Sequence, residues 1–227
     1  MGAFAEYLTI GEDRSLAMKP SNIGFQEAAA IPIAGVTAIQ ALRDSGRLQP
    51  GQKVLINGAS GGVGTFAVQI ARSMGAEVTG VCSTRNLEMV RALGADHVID
   101  YTVDDYTQGE ERYDVIVDMV GNHGLLANRR VLKPAGILVI VGGPKGNWFR
   151  PLMGPIKALM LAPFVNQELG MMLAQMQRDD LVTLGEMIQA GQLRPVVDRH
   201  YRLHDLADAI RYSEEGRAQG KIIVDMP

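Results

Sequence analysis

The segment best suited to chemistry is a glycine-rich turn, G-A-S-G-G-V-G, at residues 58–64. It follows a compact apolar run, Lys53–Asn57, and opens a stretch in which apolar residues recur at helical spacing. A pyrophosphate at such a turn needs backbone N–H donors at close range and the positive end of a helix dipole, and large side chains would block both. The turn therefore predicts a dinucleotide site, and its candidate ligands are Gly58, Ala59, Ser60, Gly61, Gly62, Val63 and Gly64.

Three of these residues, Ala59, Gly61 and Gly64, stand in the positions of the G/A-x-G-x-x-G fingerprint of dinucleotide-binding proteins. A glycine pattern alone is weak evidence. Here, however, it follows a predicted strand, opens a predicted helix and begins a repeated strand–helix series, which is the context that the motif demands. The alternative interpretation is a glycine-rich turn that binds no ligand.

The residues after the second predicted strand indicate which dinucleotide is bound. An NAD-preferring fold places Asp or Glu there, to accept a hydrogen bond from the ribose 2′-hydroxyl. This sequence continues instead as Ser83, Thr84 and Arg85, without a carboxylate. The hydroxyls can donate hydrogen bonds and the guanidinium can neutralise a 2′-phosphate, so NADP(H) is the preferred cofactor and NAD(H) the second choice. A solvated Arg85 that caps the next helix is the other interpretation.

The elements that must position these residues alternate along the chain. Helical patterns separate most of the predicted strands, which are short apolar runs at 53–57, 77–82, 97–101, 113–120 and 136–141. Strands this short and apolar are typical of a parallel sheet covered on both faces. The predicted fold class is therefore α/β, with a Rossmann-type doubly wound parallel sheet.

The flanking regions are less regular. Gly2–Met18 contains two weak predicted strands, and Ser21–Asp44 is a predicted helical region with a cap at Ser21 or Asn22 and a break at Pro32. Gly142–Leu173, rich in proline, glycine and methionine, gives no regular prediction. Towards the C-terminus we predict a helix, a strand, a helix and a last strand, at 180–189, 194–203, 204–214 and 221–225.

Composition excludes several classes of function. The 227 residues carry a net charge of −3 without a basic face, which argues against a nucleic-acid partner. Cys82 is the only cysteine, so a disulfide framework and a cysteine-rich zinc cluster are excluded within one chain. The N-terminus lacks a signal-peptide pattern, and no apolar run approaches the ~20 residues of a membrane span. We expect a cytoplasmic protein.

With the glycine turn in place, the chain resembles the medium-chain dehydrogenase/reductase superfamily, and within it the zinc-independent quinone oxidoreductase (zeta-crystallin-like) branch. The resemblance extends from about Gly2 to the C-terminus, and its matching stretches are AAAIPIAGVTAIQAL, GQKVLINGASGGVGTFAVQIA, RALGADHVIDY, YDVIVDMVGN and the terminal GKIIV. It implies that Thr37 lies near the nicotinamide and Tyr101 near the adenosine. It also places four residues at strand ends facing the nicotinamide half: Val120, Val141, Gly142 and Gly143. Plain strand core is the alternative for the valines.

Members of this superfamily begin with a GroES-like β domain that forms one wall of the substrate cleft, and most of it has no counterpart here. The resemblance divides the chain into a remnant of that domain (1–20), a Rossmann cofactor domain (21–191), a strand returning towards the catalytic domain (192–203) and a C-terminal helix and strand (204–227). Because the substrate-orienting residues of the family lie in the missing domain, no catalytic residue is assigned.

Two rival enzyme classes fit less well. Short-chain dehydrogenases need a tyrosine with a lysine four residues later, and no tyrosine here has one. Zinc alcohol dehydrogenases need ligands that this chain does not bring together, so no metal is expected. The preferred hypothesis is an NADPH-dependent oxidoreductase that transfers a hydride to a quinone, an enone, or an aldehyde or ketone, as a possible homodimer. The alternatives are a non-catalytic NADP(H)-binding module and a remnant whose glycine turn serves only packing.

Overall fold

The computed structural model describes residues 9–11, 15–142 and 166–226, and its centre is a six-stranded sheet in which all neighbouring strands are parallel. The strands are β1 (Lys53–Asn57), β2 (Glu77–Cys82), β3 (His97–Asp100), β4 (Tyr113–Asp118), β5 (Leu132–Ile140) and β6 (Glu168–Met171). They lie in the spatial order β3-β2-β1-β4-β5-β6. The predicted fold class, α/β with a Rossmann-type parallel sheet, is confirmed.

Helices cover both faces of this sheet. They are α1 (Phe25–Ala29), α2 (Pro32–Gln40), α3 (Gly64–Ser73), α4 (Leu87–Ala92), α5 (Leu125–Val131), α6 (Arg178–Gln189) and α7 (Leu206–Glu215). In β1, Val54 and Ile56 pack into a hydrophobic cluster that includes residues of α2, α3 and α6. Leu55 packs instead with Ile116 and Leu138 in a second cluster. Because both faces of β1 are buried, its central residues, Val54–Ile56, form an unbroken apolar run rather than an alternating pattern.

The N-terminal region differs from the prediction. Residues 9–11 and 15–20 form no strand, because a strand needs a hydrogen-bonded partner and the described residues offer none to this segment. The first helix begins at Phe25, so the predicted cap at Ser21 or Asn22 is wrong. Asn22 instead donates from Nδ2 to the carbonyl of Ile188 at 2.9 Å, and the Glu27 carboxylate accepts from the N–H of Gly24 at 2.9 Å.

The edge strand β6 lies in the segment 142–173, for which no regular element is predicted. It pairs with β5 from Ile137 opposite Glu168 to Ile140 opposite Met171. Most of its side chains are exposed, since an edge strand has only one neighbour, and its sequence ELGM therefore lacks the apolar run that marks the inner strands. Residues 143–165, which precede it, lie outside the described part of the chain.

The C-terminal elements form a second, smaller sheet. β7 (Val197–Arg202) and β8 (Lys221–Asp225) pair in parallel, and α7 connects them. Their positions confirm the predicted strands at 194–203 and 221–225. An isolated bridge between Gly61 and Gly220, with the Gly220 N–H donating to the Ser60 carbonyl at 3.0 Å, joins this unit to the glycine turn. The C-terminal part of the chain is thereby brought to the site described next.

Candidate cofactor-binding site

A cavity of about 850 Å³ lies at the carboxyl ends of β1, β2 and β4. The chain leaves β1 towards β2 and β3 on one side, and then crosses to β4 on the other side. Ligands of doubly wound sheets bind at such a switch point. Eleven predicted site residues line the cavity: Gly58, Ser60, Gly61, Gly62, Val63, Gly64, Ser83, Thr84, Arg85, Tyr101 and Val120.

Four predicted site residues do not line this cavity. Ala59 is fully buried, and Thr37 on α2 is also buried and donates its hydroxyl to the Ile33 carbonyl at 2.6 Å. Val141 and Gly142 follow β5, and each donates its N–H to the carbonyl of Asp118. Gly143 lies outside the described residues. The structure thus brings the residues predicted for the pyrophosphate and the adenosine together with Val120 from the predicted nicotinamide half, whereas Thr37, Val141 and Gly142 do not line the cavity.

The glycine turn is shaped by close backbone packing. Gly58 adopts a left-handed φ of +90°, and the N–H groups of Gly58 and Ala59 both donate to the Val81 carbonyl. A Cβ on Gly64 would lie 2.1 Å from the carbonyl oxygen of Gly58, so only glycine permits α3 to start so close to the turn. The N–H groups of Gly62, Val63 and Gly64 have no acceptor among the described residues. They are the donors that a helix N-terminus offers to an anion.

A buried carboxylate fixes the opposite wall of the cavity. Asp118, at the end of β4, is 2% exposed, and one of its oxygens accepts from Asn57 Nδ2 at 2.9 Å, from the Val120 N–H at 3.0 Å and from the Gly121 N–H at 2.8 Å. Asn57 Nδ2 also donates to Asn122 Oδ1 at 2.8 Å. These bonds hold the chain after β4 against the end of β1. Asp118 does not line the cavity itself, so its carboxylate stabilises the neighbouring backbone rather than contacting a ligand.

The end of the cavity next to β2 and β3 is rich in cationic and hydroxyl groups. Thr84 donates its hydroxyl to Asp100 at 2.5 Å, and this bond, with those from Thr102, lowers the pKa of Asp100. Arg85 donates to the carbonyl of Arg217. Among the described residues the cavity lining contains these two arginines and no carboxylate. This charge balance favours a ligand with several phosphates.

Several lining residues were not predicted from the sequence. The C-terminal segment contributes three of them, Gly216, Arg217 and Ala218. The others lie at or just after the ends of β1, β2 and β4: Asn57, Val81, Cys82, Asn86, Met119 and Asn122. Gly216 ends α7 in the left-handed conformation, at a φ of +71°, and the chain then turns towards the glycine turn. No local pattern marks Arg217, because contacts between distant segments, among them the pairing of Gly220 with Gly61, bring it to the cavity.

Lys221, at the start of β8, crosses the outside of the turn. A Cβ on Gly62 would lie 2.8 Å from the lysine Cδ, so glycine leaves room for this side chain. The ammonium has no hydrogen bond or ion pair within the described residues. Burial lowers the pKa of Lys221, since it removes water from the charged form. The turn therefore adjoins a cationic side chain that is partly dehydrated and has no counter-ion in the described part of the chain.

Comparison with known proteins places the chain in a family. A family model described as zinc-binding dehydrogenase matches residues 93–224, which is more than half of the chain. The chain belongs to the zinc-binding dehydrogenase family. The resemblance to the medium-chain dehydrogenase/reductase superfamily, and to its quinone oxidoreductase branch, is confirmed.

Individual relatives of this zinc-binding dehydrogenase family member are longer than the chain itself. It is 34% identical to an NADPH-dependent alkenal/one oxidoreductase from Arabidopsis thaliana, over 98% of the chain and 53% of the relative. It is 32% identical to a 2-methylene-furan-3-one reductase from Solanum lycopersicum, over 98% and 52%. A quinone oxidoreductase structure from Coxiella burnetii superposes with a TM-score of 0.80 at 29% identity, over 92% and 63%. The chain spans about half the length of the two curated relatives.

The family name implies zinc, and the described residues do not fit a zinc ion. No group of three or more His, Cys, Asp or Glu side chains in this part of the chain is arranged to hold a metal. Burial, with a smaller contribution from Asp100, raises the pKa of the Cys82 thiol to about 11, which disfavours the thiolate that binds metals.

Among the residues that the structure describes, no helix is long and apolar enough to cross a bilayer.

Proposed function

We propose that this chain binds NADPH and serves a reductase that transfers a hydride to a quinone, an enone, or an aldehyde or ketone. The observation that carries the proposal is a cavity at the switch point of the sheet that combines free helix N-terminal donors with two arginines and no carboxylate among the described lining residues. That combination fits a pyrophosphate at the glycine turn and a 2′-phosphate at the end of β2. NAD(H), which lacks the 2′-phosphate, is the weaker ligand in this proposal.

Each part of the cofactor has a proposed location. The pyrophosphate contacts the N–H groups of Gly62, Val63 and Gly64, and the 2′-phosphate contacts Ser83, Arg85 and Arg217. The adenine lies near Tyr101, which is 59% exposed beside the cavity. The nicotinamide extends past Val120 towards the family-implied positions Thr37, Val141, Gly142 and Gly143.

Bound NADPH supplies the hydride from C4 of its nicotinamide, and the protein supplies orientation. The Asp118 hydrogen bonds hold Val120 and Asn57 in place where the nicotinamide half emerges. The buried strand ends beneath the cavity exclude water from one face of the ring. Because whole relatives are about twice as long as this chain, the substrate and its proton donor are not assigned to residues here.

The proposed organisation follows the sequence-based boundaries. Residues 21–191 form the cofactor domain, residues 1–20 and 192–203 are the parts of the chain that join a GroES-like catalytic domain, and residues 204–227 complete the cofactor site.

We propose a homodimer formed through the outer edge of β6, which has no partner strand among the described residues. Sedimentation of the purified chain at several concentrations tests that proposal. A cytoplasmic location stays a prediction.

The enzymatic proposal is tested by following NADPH absorbance in the presence of a simple quinone or an enal. Turnover that saturates with NADPH supports the reductase. NADPH binding without oxidation supports the second candidate, a non-catalytic NADP(H)-binding module. Absence of both binding and turnover means that the glycine turn serves packing only.

A further inference from the structure

We infer that Asn86 is a positioning residue that holds the hydroxyl groups of Ser60 and Ser83 as hydrogen-bond donors towards the phosphates of the cofactor. This inference rests on the proposed NADPH site and assigns a role within it. Asn86 lines the cavity, is 3% exposed, and lies one residue before α4. Its side chain joins three segments of chain that are far apart in sequence.

The amide nitrogen of Asn86 contacts both serines. Nδ2 donates to Ser60 Oγ at 2.9 Å and to Ser83 Oγ at 3.2 Å. Ser60 belongs to the glycine turn, and Ser83 follows β2 at the proposed 2′-phosphate position. One side chain therefore reaches both a residue of the glycine turn, where the pyrophosphate is proposed to bind, and a proposed contact of the 2′-phosphate.

The amide oxygen is occupied from the other side. Gln219 Nε2 donates to Asn86 Oδ1 at 2.5 Å, and the Gln219 backbone N–H is itself held by Asp198 at 3.0 Å. This contact fixes which way the Asn86 amide faces, with its oxygen to the C-terminal segment and its nitrogen to the cavity. The preceding backbone is also fixed, because the Asn86 N–H donates to the Ser83 carbonyl at 2.8 Å.

The chemistry follows from the donor and acceptor inventory. An amide NH₂ has two donors and accepts nothing, whereas a hydroxyl has one proton and two lone pairs. Each serine therefore accepts from Asn86 and keeps its own proton, and neither hydroxyl donates to any described residue. Both protons are thus available to oxygen anions in the cavity. Hydrogen bonds to charged acceptors are about twice as strong as neutral ones.

Substituting Asn86→Asp reverses this arrangement with almost no change in shape. The carboxylate accepts from both serines and from Gln219, so it takes the protons that the phosphates would use and adds a negative charge. We expect a loss of roughly tenfold in affinity for each phosphate contact removed. NADH, with the pyrophosphate contact alone, should bind roughly tenfold more weakly, and NADPH roughly a hundredfold more weakly. The preference for NADPH over NADH should therefore fall by roughly tenfold.

A cycle of variants separates this role from a structural one. Dissociation constants of NADPH and NADH are measured by fluorescence titration for the wild type, Asn86→Asp, the double variant Ser60→Ala with Ser83→Ala, and the triple variant. The negative charge of the new aspartate is present whether or not the serines are, so its effect cancels when the four dissociation constants are compared. If Asn86 acts through the serines, the loss of NADPH affinity in the triple variant should be at least about tenfold smaller than the loss in Asn86→Asp multiplied by the loss in the serine double variant.

Three outcomes are decisive. Equal losses for NADPH and NADH in Asn86→Asp, or losses that simply multiply in the triple variant, overturn the inference. If Asn86→Asp does not fold, the serine double variant decides alone, and unchanged NADPH affinity in it overturns the inference. A wild-type chain that binds neither nucleotide refutes the proposed function itself, a result that no variant is needed to recognise.

Discussion

Substituting Gly64→Ala tests the close packing on which the glycine turn depends. The added Cβ would lie 2.1 Å from the Gly58 carbonyl oxygen and 2.8 Å from two backbone atoms of Ala59, whereas real Cβ contacts essentially never fall below 3.0 Å. All three neighbours are backbone atoms, so no side chain can swing away. The start of α3 or the turn itself must move by almost 1 Å, from 2.1 Å to at least 3.0 Å.

The expected cost is at the upper end for overpacking, about 3 kcal/mol, because the contacts are rigid and α3 is buried against the sheet. For a chain of this size that corresponds to a fall in melting temperature of roughly 6–12 °C. NADPH affinity should fall as well, since the same shift displaces the N–H donors of Gly62 and Val63.

The assay is thermal unfolding followed by circular dichroism, with Gly170→Ala as the matched control. Gly170 lies in the edge strand β6 with no atom within 4 Å of the position of an added Cβ, so this variant should stay within about 2 °C of the wild type. If Gly64→Ala melts as the wild type does, the close approach of α3 to Gly58 is refuted, and with it the proposed geometry of the phosphate donors.

Three further predictions concern the walls of the cavity. Arg85→Ala should weaken NADPH binding by roughly tenfold and leave NADH binding nearly unchanged in calorimetry, because only the 2′-phosphate loses a charged partner; equal losses would contradict this. Asp118→Ala removes the acceptor of three hydrogen bonds and should lower the free energy of unfolding by about 3 kcal/mol in urea titrations. Asp118→Asn keeps an acceptor oxygen, so its free energy of unfolding should fall by less than half of that. The Cys82 thiol, whose pKa is raised to about 11 mainly by burial, should resist iodoacetamide in the folded chain well below that pH and react once urea unfolds it. Rapid labelling of folded protein near neutral pH would contradict the burial of Cys82.

The parts of the fold that the sequence predicted are those with a strong local signal. β1 and β4 are buried on both faces, so each has an unbroken apolar run at its centre, Val54–Ile56 and Val115–Val117, that stands out from its surroundings. The glycine turn is marked in the same way, because each close approach in it excludes a side chain. The eleven predicted lining residues lie on segments adjoining such signals.

The remainder of the site depends on contacts between distant segments. Arg217 lines the cavity and Gln219 contacts Asn86 where Gly220 pairs with Gly61, a contact across most of the chain that no local pattern encodes. Asn86 gives no sequence signal for its role, since asparagine before a helix is ordinarily read as a cap. The edge strand β6 was missed for the converse reason, because an exposed strand needs no apolar run.

The most direct test of the account is a titration of the purified chain into NADPH, followed by the fluorescence of the nicotinamide, with NADH as the paired ligand. We expect a saturable change in NADPH fluorescence and an affinity for NADPH at least about tenfold above that for NADH, the difference of one charged contact. No change in fluorescence, or equal affinity for the two nucleotides, would contradict the claim that this cavity is built for a dinucleotide with a third phosphate.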